Sequence, residues 1–401
     1  MRVLLINQAF YPDVAATAQY ASDLAAKLAG QGHDVTVLSS RRGYVDPSLT
    51  FPRAEKWRGV RILRAPSTGF GKGGKWRRAF DFATFFASSA LRLAFLSRTD
   101  VVVALTSPPL VSVLGAFYSR INGSRFLYWV MDLNPDEAVA AGWLRESSIA
   151  CRVLDTLLRF SLRQAEDVVA LDRFMAERLV GKGVPASKLS VIPLWPQDDS
   201  VVFDAYAAAE FRRAHALEGK FVVMYAGNHS PCHPLTTLLE APLLLRDHPD
   251  VAFAFVGGGT EFIRVQRFKE KHRLVNVHCV PYQPMSELSG VLSAADLHAV
   301  VMGDPFVGIV HPSKVYNIIR VGAPFLYIGP PASSVADLNP AASFRHGEAQ
   351  EVARFIAGAA SIGPRRQLGK QGAISRSEAL QRLISAIGEG SRRESEQLVR
   401  S

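Results

Sequence analysis

The chain has 401 residues, too many for one ordinary core, so two domains of roughly 150 to 200 residues each are expected. Hydrophobic residues at 48% and charged residues at 20% suit a soluble globular protein, and no stretch offers the ~20 uninterrupted apolar residues of a membrane span. The net charge of +10 points to an anionic partner, a phosphorylated small molecule or an acidic membrane surface; no zinc-ligand spacing and no aromatic-basic motif supports nucleic acid.

The opening "MRVLLINQAFYP" holds an apolar run too short for a signal peptide, and it reads as a buried first strand. The three cysteines, Cys151, Cys232 and Cys279, are odd in number and far apart, which suggests a reducing compartment without disulfides. A cytoplasmic protein is expected.

In chain order, "RVLLIN" is a strand, "YPDVAATAQYASDLAAKLAGQG" a loop and helix stopped at Gly32, and "HDVTVLSS" the next strand. Strand, helix and strand of this length make a βαβ unit and hence a parallel sheet. The strands "GVRILRAP", "DVVVALTSPP", "RFLYWVMDLNP", "AEDVVALD" and "KLSVIPLWP" continue it, with a helix "RFMAERLVGKG" between the last two. Residues 69–98 carry Lys72, Lys75, Arg77, Arg78, Arg92 and Arg98 against one acid, Asp81, with Trp76, Phe80, Phe82, Phe85, Phe86 and Phe95 interleaved. Such a helix can lie in an anionic membrane interface, or it can be a core helix flanked by solvated cations. Asp132 ends an apolar strand, where it either caps the following turn with Asn134 and Pro135 or handles a substrate hydroxyl.

Near residue 197 the pattern restarts, and Pro193, Pro196 and the Asp198–Asp199 pair mark a linker. The second series has strands "KFVVMYAGN", "VAFAFVGGG", "VNVHCVPYQP", "ADLHAVVMG" and "APFLYIGPP", with a helix "PLTTLLEAPLLLRDHP" after the first. The expected architecture is α/β: two Rossmann-like, doubly wound domains facing a central cleft. The boundaries fall at 1–197 for an acceptor-binding domain and 198–374 for a donor-binding one. The remaining 375–401 hold an amphipathic helix with Leu380, Leu383, Ile384 and Ile387 at helical spacing, packing back towards the first domain.

Ligands of open α/β sheets bind beyond the carboxyl ends of the strands. There the second domain offers the Gly227–Asn228 turn with His229 and His233, which read either as capping histidines or as hydrogen-bonding, partly charged groups at a phosphate. It also offers Gly257 to Gly259, and then "HPSKVYNIIRVGAP", in which Ser313 is an expected cap for a helix over 314–321 that begins with Lys314. A metal at His229, Cys232 and His233 lacks a fourth ligand at zinc spacing, so none is expected.

The order "YAGN…LLEA", "VGGG", "VPYQP…LSAADLHAV", "PSKVYNIIRVGAP" resembles the C-terminal half of glycosyltransferase family four, the retaining GT-B enzymes. "FYPDVAATAQYASDLAAKLAGQGHDVTVLSS" is similar to that family's first βαβ unit. "TSPPL" and "MDLNPDEA" resemble its T-S-P-P and D-L-W-P-E elements, seen in the branch that builds capsule, colanic acid and O-antigen chains. The resemblance implies transfer of a sugar from a UDP- or GDP-sugar to a polyprenyl-diphosphate-linked or growing surface glycan, without metal or cofactor, by a protein peripheral on the inner face of the cell membrane. It implies donor contacts at Gly227, Asn228, His229, Gly258, Tyr282, His311, Ser313, Lys314 and Asn317, with Val280 to Tyr282 near the base. Catalytic carboxylates are expected at Asp132 and Asp304, and acceptor or membrane contacts at Lys75, Trp76, Arg77 and Arg78.

Two departures stand out. The loop "NHSPCHP" lacks the Arg and Lys that hold the donor diphosphate in the family, and the glutamate pair expected near Pro305 and Asn317 is missing. Asp304 is the nearest carboxylate to the first position, and Asn317 replaces a charge-assisted ribose contact with a neutral one. A sugar-nucleotide epimerase on the same scaffold, or a silent partner protein, are the alternatives.

Overall fold

The computed structural model describes residues 1–44, 46–70, 75–196, 200–363 and 375–400, with the backbone alone at 75, 78 and 389–400. It divides into one unit of Met1–Pro193 with Arg376–Ser401 and a second of Leu194–Ser375. The acidic pair of the expected linker lies outside the described residues.

The first unit runs β1 (Arg2–Ile6), α1 (Ala16–Gly30), β2 (Asp34–Ser40), β3 (Ala54–Trp57), β4 (Val60–Ala65), α2 (Lys75–Ala94), β5 (Val101–Ala104) and α3 (Ser112–Asn122). It continues with β6 (Arg125–Trp129), α4 (Asp136–Ala140), α5 (Ile149–Gln164), β7 (Asp167–Ala170), α6 (Arg173–Gly181) and β8 (Leu189–Val191). The strands form one sheet in the order β3-β4-β2-β1-β5-β6-β7-β8. Every pairing is parallel except the β3–β4 hairpin at the edge. Helices cover a parallel sheet, so its inner strands are apolar along their whole length: Val3 to Ile6 and Val102 to Ala104 are fully buried.

The second unit runs α7 (Ala205–Ala214), β9 (Phe221–Asn228), α8 (Thr236–Leu244), β10 (Val251–Gly258), α9 (Thr260–His272), β11 (Val277–Val280) and α10 (Leu288–Ser293). After these come β12 (Leu297–Val301), α11 (Lys314–Arg320), β13 (Phe325–Ile328), β14 (Ala342–Phe344) and α12 (Ala349–Ile362). The sheet order is β11-β10-β9-β12-β13-β14, all parallel. Alternate residues of β9 and β10 feed two separate cores, one with Val223, Tyr225 and Phe253, the other with Val222, Met224 and Ala252.

The last helix, α13 (Arg376–Arg400), belongs to the first unit. Ala379, Leu380, Leu383, Ile384 and Ile387 are buried, Arg376 pairs with Asp23 on α1, and Arg125 donates to the Ile387 carbonyl at 2.7 Å.

In each sheet the chain reverses its winding once, between β1 and β5 and between β9 and β12. At such a point the connections leave in opposite directions and open a crevice at the carboxyl end.

Candidate functional site

In the second unit that crevice is built into the pairing. β9 pairs β10 over all eight residues, but it pairs β12 only at Leu297↔Val223 and His298↔Met224. Beyond this the two strands part. The loop after β9 bridges the gap: Gly303 N–H donates to the Cys232 carbonyl at 2.9 Å, and His233 Nδ1 donates to the Val301 carbonyl at 2.7 Å.

Lys314, the first residue of α11, lies against this edge. Its Nζ is 3.8 Å from the centre of the Tyr225 ring, and a Cβ placed on Gly227 would be 3.7 Å from it. The ammonium is buried and, among the described residues, has no hydrogen-bond partner. Burial lowers its pKa from 10.5 to about 7. A cation–π contact offsets part of the lost hydration, but a buried ammonium is ordinarily paired. An unpaired one at the mouth of a crevice is a place for an anion.

His229 and His233 are both buried against the same edge. Each must carry its proton on Nδ1, because that nitrogen faces a carbonyl: Gly227 at 2.9 Å for His229 and Val301 for His233. Burial, then the Lys314 charge, lowers their pKa values to about 4 and about 3. Neither ring bears the partial positive charge that was one expectation for them; burial keeps both neutral near pH 7. His229 packs edge-on against Tyr225 and Phe262, so it shapes the turn.

The glycines are required by contact. A Cβ on Gly257 would sit 2.1 Å from the Gly227 carbonyl oxygen, at a φ of +134°. Gly258 touches the face of Tyr282, which is 59% exposed and donates weakly to the Gly258 carbonyl at 3.3 Å. Asn228 is exposed at the end of β9.

Along α11, Asn317 lies one turn beyond Lys314, on the same side of the helix. It is buried, and among the described residues its Oδ1 has no donor. Ser313 departs from expectation: its side chain makes no capping hydrogen bond, and its backbone carbonyl accepts from Tyr316 N–H instead. Its own backbone is already helical, which turns the hydroxyl away from the first amides. His311 stacks on Tyr316, with Nε2 2.7 Å from the phenol oxygen. Asp304 sits on a single 3-10 turn with its side chain 71% exposed, 3.9 Å from His346 Nε2. Tyr225, the platform for Lys314, went unnoticed in the sequence, where only the glycine two residues later drew attention.

In the first unit, Asp132 follows β6. It does not cap the turn: the residue before α4 is Pro135, no side chain caps that helix, and the Asn134 amide donates to Glu137 at 3.0 Å. Burial first, and the Glu137 charge second, raise the Asp132 pKa to about 7. Beyond the neighbouring strands β1 and β5, Gln8 Oε1, Thr106 Oγ1 and Ser107 Oγ are buried without partners among the described residues. The crevice edge of this unit is therefore polar, hydroxyl-rich and acidic.

On α2 the membrane-contact expectation divides. Trp76 is 67% exposed with Arg77 stacked 5.4 Å from its ring, and Phe80 and Phe95 are exposed, while Phe85 is fully buried. The side chains of Lys75 and Arg78 lie outside the described residues. Among the described residues, no helix is long and apolar enough to cross a membrane, and no group of side chains is arranged to hold a metal ion.

Residues 16–195 match the family described as "Glycosyl transferase 4-like domain". The chain is similar to the protein named colanic acid biosynthesis glycosyl transferase WcaI of Escherichia coli (strain K12), 25% identical over 334 residues, covering 80% of this chain and 82% of that protein. It is 26% identical over 251 residues to the protein named glycosyltransferase WbjE of Pseudomonas aeruginosa, covering 63% of this chain and 61% of that one. Among solved structures it is similar to HepE of Anabaena, crystallised with UDP and glucose, with a TM-score of 0.65, 16% identity and full coverage of both chains.

Proposed function

We propose that the chain, whose fold is GT-B, is a glycosyltransferase of the family-four type that moves a sugar from a nucleoside-diphosphate donor to a lipid-linked surface glycan with retention of configuration. The observation that carries the donor half is the buried, unpartnered ammonium of Lys314 where β9 and β12 part. It takes over the load that Arg and Lys of the β9 loop bear elsewhere in the family. HepE was solved with UDP and glucose, which agrees with a nucleoside-diphosphate donor.

In the proposed reaction the bond from the sugar's anomeric carbon to the diphosphate oxygen breaks, and its electron pair goes to the diphosphate. Lys314 and nearby backbone dipoles stabilise the charge that develops there. The acceptor hydroxyl oxygen bonds to the anomeric carbon on the same face, and its proton passes to a diphosphate oxygen. Asn317 Oδ1, buried and without a donor, accepts from a ribose hydroxyl. Asp132 orients the acceptor hydroxyl. Exposed Trp76, Phe80 and Phe95, among the cations of α2, rest on an anionic membrane surface.

The test is incubation with labelled UDP- and GDP-sugars, with and without a polyprenyl-diphosphate glycan. Sugar should appear on the lipid only when the acceptor is present, in the anomeric form of the donor. Interconversion of nucleotide sugars without acceptor would make the chain an epimerase. No reaction with any pair would make it a silent partner.

A further inference from the structure

Away from Asp132, the first unit gathers three arginines without a carboxylate. Arg41 follows β2: its N–H donates to the Ala65 carbonyl at the end of β4 at 3.0 Å, and its Nε donates to the Phe51 carbonyl at 3.2 Å. Arg53 lies two residues beyond Phe51, and its carbonyl accepts from Arg64 N–H at 2.9 Å. Arg92 is in the last turn of α2, one turn past Ser88, whose hydroxyl donates to the Pro66 carbonyl. The ends of β2 and β4, residues 51–53 and the final turns of α2 therefore converge.

Arg92 is half-buried, and burial together with the charges of Arg53 and Arg41 pulls its pKa below the ordinary value. Among the described residues none of the three forms an ion pair, and the neighbouring Glu55 is taken by Arg64. Guanidinium groups repel one another unless an anion joins them, and their planar forks match phosphate oxygens. Beside Arg92, Leu91 on α2 is 63% exposed and Phe95, just past the end of that helix, is 85% exposed. A ligand that suits both features is anionic at one end and apolar at the other.

We propose that Arg41, Arg53 and Arg92 grip the diphosphate of a polyprenyl-type lipid, with Leu91 and Phe95 against its hydrocarbon chain. The proposal rests on the lipid-linked acceptor proposed above and assigns where its phosphates are held. An anionic phospholipid headgroup shares the phosphate chemistry but lacks the second phosphoryl group that three arginines can engage.

The probe is farnesyl diphosphate in phosphatidylcholine vesicles, compared with phosphatidylglycerol vesicles of equal surface charge. Both are titrated against the full chain and against the Arg41→Gln/Arg53→Gln/Arg92→Gln variant. The parent should bind the diphosphate vesicles roughly tenfold more tightly than the phosphatidylglycerol ones, and the variant should lose that excess. Should the triple variant not fold by circular dichroism, the exposed single change Arg53→Gln should still remove a measurable part of it. A parent without preference between the two vesicles, or a folded variant that keeps the preference, overturns the proposal. Arginine-dependent binding of inorganic diphosphate without vesicle binding would overturn its lipid half. Because binding is read without turnover, its failure is separable from failure of the transfer assay.

Discussion

Asp132 and Lys314 are both held from their usual charge states by burial, and both lie beside strand ends where ligands collect. For Asp132 the folded carboxyl keeps its proton up to about pH 7, while the unfolded one gives it up near the ordinary aspartate value of 3.8. The folded state thus binds the extra proton across that window, so this residue costs stability increasingly as pH rises through it. Asp132→Asn should flatten that slope in thermal melts taken from pH 4 to 8. If the carboxyl orients the acceptor hydroxyl, the same variant should lose roughly tenfold or more in turnover with donor affinity kept. Near-parental turnover with a working lipid acceptor would remove Asp132 from the reaction.

Among the elements, the β9 and β10 ends show how closely two backbones approach at the proposed donor edge. A Cβ at Gly257 would meet the Gly227 carbonyl oxygen at 2.1 Å, and its φ of +134° is strained for any side chain. Gly257→Ala should therefore cost about 2 to 4 kcal/mol in denaturant unfolding, and it should displace the Gly227 turn. A loss below about 1 kcal/mol would show that the turn relaxes freely. These elements were also where the sequence was most readable. Continuous apolar runs such as Val3–Ile6 and Val251–Val256 are short and rich in β-branched and aromatic residues, which favours buried parallel strands over helices. Strand β3 escaped notice because "AEKW" is an exposed edge whose pairing is set by the hairpin to β4, and β14, with only three residues, is too short to show a period. Helix α4 was hidden in a five-residue stretch with no buried face.

At the scale of the whole molecule, the arginine cluster and the cations of α2 lie in the first unit, while the proposed donor edge of the second holds one buried ammonium. Sequence reasoning reached Lys314 because serine, lysine and the helix that follows stand together in one motif. It could not reveal that His229 and His233 stay neutral, because that follows from burial by Tyr225, Phe262 and Val301, which are distant in sequence or alternate along strands. Nor could it show that Asp132 does not serve as a cap, which depends on where the Asn134 amide points. The missing glutamates leave out two contacts that the family resemblance implies. The ammonium of Lys314 is proposed to supply a different one, and its depressed pKa gives it a signature.

That signature is proton uptake. A diphosphate against Lys314 Nζ favours the charged form, so its pKa rises on binding from about 7 towards the ordinary lysine value. At pH 8 the chain should take up a proton as it binds UDP or GDP, and affinity should fall as pH climbs above 7. Calorimetric titration of both nucleotides at pH 8, in two buffers of different ionisation enthalpy, reads this directly. One of them should bind with proton uptake, and Lys314→Ala should weaken it by roughly 1.5 to 3 kcal/mol and abolish the uptake. Unchanged affinity in Lys314→Ala, or binding with no exchange of protons, would contradict it.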